Sequence, residues 1–430
     1  MSAVTPIFVH SLFRAGSTYV FNCFRRSPNG YWCFQEPLNE YIHNAATCPD
    51  ALLKLQEDNA KHLRHPAMDR PYFYEFFPLA PQIRDTFHPE FSYDEYFSDT
   101  PSETDALCHY LSGLAEGAKG RPVFQECRSA GRVSAIRRCL GGTHLFLWRN
   151  PWDQWWSYKV DSHFEICNLQ ILAAKHAPAP FLELRERFGF VARGRDIGDF
   201  VGQRLNAAGS YTLFFALWCH AMLEARPRCD FALNIDSLSL DEDYRTSLLR
   251  QMELHNVAGV DFSDCAIPMG IYGQEDIAFF NGLEQHVIEI FLRHGYSSAD
   301  LEEVRLLREQ HYNPRRTENT PPKEIEREFE RLRHLARRLE TELSDAQRAR
   351  GRLIDDLTAQ ELKREALAST LEIKEAEREA LAEALSISEK ALSLVLNSRY
   401  WRWGKPVRIM GAFLRGRQGY VKKRDDDENV

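Results

Sequence analysis

The 430-residue chain contains no C-x-x-C pair, and its ten cysteines all fall between Cys23 and Cys265. That scatter excludes a zinc-ribbon spacing and a disulfide framework. It predicts small core residues in a reducing compartment. The pattern G-x-x-x-x-G-K-[ST] is also missing, which argues against an NTPase of the usual phosphate-loop kind. No run of eighteen apolar residues occurs, so no membrane-spanning helix is expected. The first residues lack the basic flank and long apolar stretch of a secretory signal, and their short apolar run reads as a strand. Cytoplasmic residence is the expectation, and no metal site is visible.

What is present is unevenly charged. Residues 1–320 carry 31 basic and 41 acidic side chains, giving −10, while residues 321–430 carry 23 and 21, giving +2. An acidic main body disfavours a nucleic-acid partner. The 44% hydrophobic and 12% aromatic content suffices for a large core, and the length suggests two or three units.

Three segments follow one another. Residues 1–315 read as α/β. "RPVFQECRSAGRVSAIRRCL" and "GGTHLFLWRNPWDQWWSYKV" each look like a strand feeding a helix, "GSYTLFFALWCHAMLEA" has a helical pattern, and "DFALNIDSLSLD" suggests a strand ending in a polar turn. Such alternation predicts a parallel, doubly wound sheet, with ligands beyond the carboxyl ends of its strands. Pro314, Pro321 and Pro322 mark a linker, taken as 316–322.

Residues 323–396 are charged and nearly free of aromatics. Ile325, Phe329, Leu332, Ala336, Leu339, Leu343 and Ala346 follow steps of four and three, and Leu353, Leu357, Leu367, Leu371, Leu381, Leu385 and Leu392 continue less regularly. This is coiled-coil spacing and predicts self-association, interrupted at Arg350 and Gly351 and weakened at Lys374 and Arg378. A single helix folded back on the body is the other reading. Residues 397–430 form a tail. From 399 to 424 it holds nine basic residues and no acidic one, interleaved with Tyr400, Trp401, Trp403 and Phe413. Aromatics and cations suit an anionic membrane surface, with protein docking or nucleic acid as alternatives.

Two stretches carry the chemistry. In "PIFVHSLFRAGSTYVFNCF", Ile7, Phe8 and Val9 predict a buried strand, and Ser17 and Thr18 sit at a helix start. Gly16 permits close backbone approach, helix-start N–H groups favour an anion, and Arg14 adds a planar donor fork. In "LFLWRNPWDQWWSYKV", Arg149 stands at a strand end, Pro151 suits a first helical turn, and Ser157 lies two turns in. Arg149 and Ser157 could hold one phosphate between them. Trp148, Trp152, Trp155 and Trp156 pack in the core or stack on a base, the core being the safer assignment for at least two.

"FRAGSTY" followed by "RNPWDQWWSY" resembles the two nucleotide-binding elements of sulfotransferases that use 3′-phosphoadenosine-5′-phosphosulfate (PAPS). The resemblance covers residues 6–260. It implies a P-loop-like sulfotransferase fold, with Arg14, Ala15, Gly16, Ser17, Thr18 and Tyr19 around the 5′-phosphosulfate and Arg149 and Ser157 on the 3′-phosphate. It also implies PAPS as cofactor without a metal, and sulfuryl transfer to an acceptor hydroxyl or amine. Glu36, after the apolar Tyr31, Trp32 and Phe34 and before Pro37, is the candidate base, its apolar surroundings predicting a raised pKa, the other reading being a loop carboxylate that only pairs with an arginine. His10 and His43 are lesser candidates for that role. Arg128 and Arg132 are candidates for phosphate or an anionic acceptor, or else surface charge, and Asp236 is assigned no chemistry. The tail "SRYWRWGKPVR" resembles one on bacterial enzymes of surface-polysaccharide assembly, which implies a saccharide or glycolipid acceptor at the inner membrane face. A nucleotide phosphotransferase and a scaffold with a degenerate domain are the rival readings.

Overall fold

The computed structural model describes residues 5–54, 68, 70–158, 163–191, 197–201, 203–267, 270, 272–310, 323–398 and 404. Five strands form one sheet: β1 (Ile7–Ser11), β2 (Trp32–Gln35), β3 (Pro122–Glu126), β4 (Thr143–Trp148) and β5 (Phe231–Asn234), in the order β2-β3-β1-β4-β5. Every pairing is parallel, with Val9 opposite Gln125 on one side and Leu145 on the other.

Alternation along the strands sorts the core into two faces. Ile7 and Val9 of β1 pack with Val20, Phe21 and Phe24 of α1 (Ser17–Arg25). Phe8 points the other way, to Phe34, Phe124 and the buried Tyr110 and Leu114 of α2 (Pro101–Gly117). Each such fully buried large side chain contributes about 1.5–3 kcal/mol. A third cluster lies under β4. It joins Trp148 to α4 (Pro151–Tyr158), α5 (His163–Ala173), α6 (Ala207–His220) and α9 (Gln274–Arg293). Between β3 and β4 runs α3 (Val133–Leu140).

The topology positions the site. From the central β1 the chain goes to β2 and β3 on one side, then crosses to β4 and β5 on the other. Direction switches beside β1, and in open parallel sheets the crevice at that switch is the ligand site.

Two expectations are corrected. The turn expected after β5 is helix α7 (Ile235–Leu240), because the Asn234 side chain caps it by accepting from the Ser237 N–H at 2.6 Å. Helix α8 (Glu242–Leu254) follows. The cysteines are not all free: Cys108 of α2 and Cys139 of α3 are bonded, with Cα atoms 5.3 Å apart. Packing of the two helices brings them together across 31 residues of sequence, a pairing no spacing motif announces. The other eight cysteines are free, six of them buried as expected of core residues.

The chain divides into two compact units, residues 1–341 and 342–430. In the first, α10 (Ser298–Gln310) is followed by the stretch expected as a linker, 316–322, which lies outside the described residues. Helix α11 runs Lys323–Asn397, 75 residues. In the second unit its Leu353, Leu357, Leu367, Leu371, Leu381 and Leu385 are all exposed. The tail 399–424 lies outside the described residues except Gly404. No described helix is long and apolar enough to cross a membrane.

Candidate functional site

Each strand delivers one polar group or loop to the same edge of the sheet. After β1 the chain turns through Arg14, which takes left-handed backbone (φ 63°), and Gly16 (φ 90°) before entering α1. A Cβ on Gly16 would sit 2.9 Å from the Ile235 Cγ1, so glycine is required twice over, by its backbone angle and by contact. The first helical bonds of α1 run from the Tyr19 and Val20 N–H groups to the Gly16 carbonyl. The Gly16, Ser17 and Thr18 N–H groups lie ahead of them, where helix starts attract anions. Ala15 is fully buried beneath the turn. Tyr19 turns away, its hydroxyl donating to Asp264 at 2.7 Å.

After β4, Arg149 and Asn150 lead into α4. The Asn150 side chain caps that helix by accepting from the Trp152 N–H at 2.9 Å, and Pro151 occupies the first turn. Ser157, two turns along, accepts a hydrogen bond from the Arg14 Nε at 3.0 Å. The two motifs are 143 residues apart in sequence and meet through this bond. Arg149 is buried and its Nε donates to the Asp236 Oδ1 at 3.3 Å, while the Asn150 N–H donates to Oδ2 at 2.7 Å. Burial lowers the Arg14 pKa, and the like charge of Arg149 lowers it further. Two guanidiniums close enough to act on each other, one of them already paired with Asp236, and a helix start at the same sheet edge favour an anion there.

Glu36 follows β2 in left-handed backbone (φ 46°). Its expected raised pKa is corrected. Burial does oppose its charge, but the Arg128 guanidinium beside it, with hydrogen bonds from Arg128, Asn39 and Tyr72, holds the carboxyl below its ordinary range. Arg128 donates to the Glu36 Oε2 at 2.8 Å, and the Tyr72 hydroxyl donates to Oε1 at 2.9 Å. Arg128 also donates to Glu40 at 2.7 Å and lies 3.9 Å from Glu126. Burial raises Glu126 to about 7, with Arg128 pulling down and Glu36 pushing up. Arg128 is thus a wholly buried hub for three carboxylates, and neither it nor Arg132 is surface charge. Arg132 is spent on the backbone carbonyls of Glu95, Phe91 and Arg128.

The two histidines stand apart from this edge. His10 is buried, bonded through Nδ1 to Ser129 at 2.7 Å and through Nε2 to His144 at 2.9 Å. Burial, with His144 and Arg137 nearby, holds it neutral. His43 is exposed, its Nδ1 against the Glu40 carbonyl. Trp148, Trp152 and Trp155 are core, and Trp156 is half-buried.

Three partners take roles the sequence does not assign: Asp236, given no chemistry, fixes Arg149, while Arg128, a candidate for an anion, and Tyr72, not singled out, fix Glu36. Asn234 followed by Asp236 is a cap-plus-acid signature at a helix start, and it could have marked the first of them. Among the described residues no cluster of three or more His, Cys, Asp or Glu is placed to hold a metal ion. The chain matches no protein-family model, no curated protein and no solved structure.

Proposed function

We propose that this chain is a sulfotransferase of the PAPS-dependent kind, with the sulfotransferase fold that its two motifs resemble. The observation that carries the reading is the Arg14–Ser157 hydrogen bond, which unites the two motifs at the switch point of a parallel sheet. The residues present suit the donor. Two arginines, three hydroxyl side chains (Ser17, Thr18 and Ser157) and a glycine-opened helix start are donors for anionic oxygens, and the acids beside them, Glu36 and Asp236, are each held by an arginine. When bound, PAPS supplies an activated sulfuryl group and leaves as adenosine 3′,5′-bisphosphate.

The chain's own part divides by residue. Arg14 and the N–H groups of 16–18 stabilise negative charge on the 5′ side, and Arg149 with Ser157 holds the 3′-phosphate. Glu36, ionised at neutral pH, accepts the proton of the acceptor hydroxyl. Its clamp by Arg128 weakens it as a base and fixes its direction. The acceptor is a saccharide or glycolipid hydroxyl at a membrane surface, a reading that rests on the tail's resemblance alone.

Titration calorimetry of the full chain with adenosine 3′,5′-bisphosphate, AMP and ATP tests this. Bisphosphate should bind at least tenfold tighter than AMP, and Arg149→Ala should erase that preference, the loss of a charge-assisted contact being worth about 1.5–3 kcal/mol. Arg14→Ala should weaken all three ligands. Tight ATP binding without preference for the 3′-phosphate would transfer the site to a phosphotransferase, and no binding at all would favour the scaffold. Glu36→Gln should keep bisphosphate binding and lower transfer by about 10²–10⁴.

A further inference from the structure

The second unit carries a regularity that concerns partner choice and does not depend on the donor site. From Arg350 onward the helix repeats every fourteen residues, as "RGRLIDDLTAQELK", "REALASTLEIKEAE" and "REALAEALSISEKA". Fourteen residues are two heptads, so the repeat places the same residue types on the same stripe each time. The stripe alternates a pair of leucines with a pair of polar positions: Arg350, then Leu353 and Leu357, then Gln360 and Arg364, then Leu367 and Leu371, then Lys374 and Arg378. It continues through Leu381, Leu385 and Ser388 to Leu392 and Val395. All these side chains are exposed on the single chain, Leu353 at 63% and Leu381 at 71%. The leucines recur at two positions in seven, the spacing of a two-stranded seam, while Ile354, Leu362, Ile373 and Ile387 lie exposed singly outside it.

We propose that a second copy of this chain covers the stripe, running antiparallel, with Leu371 of one helix facing Leu367 of the other. In a parallel pair each seam residue meets its own copy. That would stack Arg350 on Arg350, Arg364 on Arg364, Lys374 on Lys374 and Arg378 on Arg378, four cationic layers in one seam. Antiparallel packing sets each first seam position beside a second seam position of the other helix. In the stated register Leu357 meets Leu381 and Leu385 meets Leu353, so leucine meets leucine. The polar layers also find each other: Arg350 meets Ser388, Arg378 meets Gln360, and Arg364 meets Lys374.

Only that last layer sets cation against cation, and it is flanked by acids. Glu361 and Glu375 lie on one side of it, and Lys363 faces Glu377 across the seam on the other. Lys374 already pairs with Glu377 at 2.9 Å in the single chain. The matched layers run without a break from Leu343 to Val395, about 80 Å at helical rise. Displacing the register by one heptad sets leucines on Arg364, Lys374 and Arg378, so the fourteen-residue alternation admits registers only in steps of fourteen residues.

The test uses the full chain. Sedimentation equilibrium should show a dimer at micromolar concentration. Lys374→Glu turns both Arg364–Lys374 layers into ion pairs and should tighten the dimer by roughly tenfold, while adding Arg364→Glu should reverse the gain. Arg350→Cys and Ser388→Cys, mixed and oxidised, should yield a 350–388 cross-link identified by peptide mass, and neither variant alone should link to itself. A monomer at all concentrations overturns the proposal, whether the cause is fold-back or a different partner. A 388–388 cross-link, or no tightening by Lys374→Glu, overturns the antiparallel arrangement.

Discussion

Arg14 and Glu36 both hold left-handed backbone, a conformation that costs a non-glycine residue roughly 1–2 kcal/mol. Their neighbours over-determine them, Ser157 for Arg14 and the Arg128–Tyr72 clamp for Glu36. Gly16 has no such latitude. Gly16→Ala meets both a φ of 90° and the Ile235 side chain at 2.9 Å, so it should destabilise the first unit by about 2 kcal/mol in urea denaturation. An unchanged midpoint would mean the turn is softer than its packing implies. His144 gives a pH-dependent counterpart. Burial is the largest influence on it and holds its pKa at about 4, with Arg137 assisting and the Gly141 carbonyl and Asp230 opposing. An unfolded histidine titrates near 6.5, so between 6.5 and 4 the unfolded chain binds more protons and stability falls as pH drops. His144→Gln should flatten that fall by about 3 kcal/mol, read from denaturation midpoints across the pH range. Glu126 acts oppositely, its raised pKa removing stability as pH rises through about 4.5 to 7. It is present in both proteins and cancels, and since His10 bonds to His144 the difference between them reports the His10–His144 pair.

At the scale of elements, the disulfide ties α2 to α3, the helix that begins just after the Arg128–Arg132 loop. Closing 31 residues of chain stabilises by about 3–4 kcal/mol in the loop-entropy account. Cys139→Ser should therefore lower the melting temperature markedly. Thiol titration of the denatured, unreduced wild type should count eight free cysteines, and a count of ten would remove the bond from the account. Which elements were legible in the sequence follows from the range of the signals. The β1–turn–α1 unit could be read because Ile7, Phe8, Val9, Gly16, Ser17 and Thr18 all act on their immediate neighbours. The start of α4 could be read for the same reason, through Pro151. The pKa of Glu36 could not. Its local neighbours are apolar, and the group that decides its charge, Arg128, lies 92 residues away and reaches it only when β3 settles beside β2. The Asp236–Arg149 contact is likewise a product of strand order and the Cys108–Cys139 bond of helix packing, neither of which local pattern encodes.

At the scale of the whole molecule, charge and site pull in opposite directions. The chain carries a formal −8 and its first 320 residues −10, yet the sheet edge beyond β1 and β4 brings Arg14 and Arg149 close together, where the proposed donor would bind. Far from the surface, an approaching anion feels the net charge. At 20 Å in water, ten charges repel each negative charge of the ligand by about 2 kcal/mol unscreened. At close range the two guanidiniums dominate. Salt separates the two regimes, because a charge's field persists over only about 8 Å at 0.15 M but about 30 Å at 0.01 M. Raising salt from 0.01 to 0.15 M should therefore speed association of adenosine 3′,5′-bisphosphate by roughly tenfold, the reverse of the usual trend for an anion entering a cationic site. Beyond that range the gain should stop and dissociation should quicken, as the Arg14 and Arg149 contacts are themselves screened. Stopped-flow mixing of the full chain with the bisphosphate across that salt series reads both rates. An association rate that falls steadily from the lowest salt would show that the crevice focuses its own positive field outward past the acidic body, and the steering role would then belong to Arg14 and Arg149.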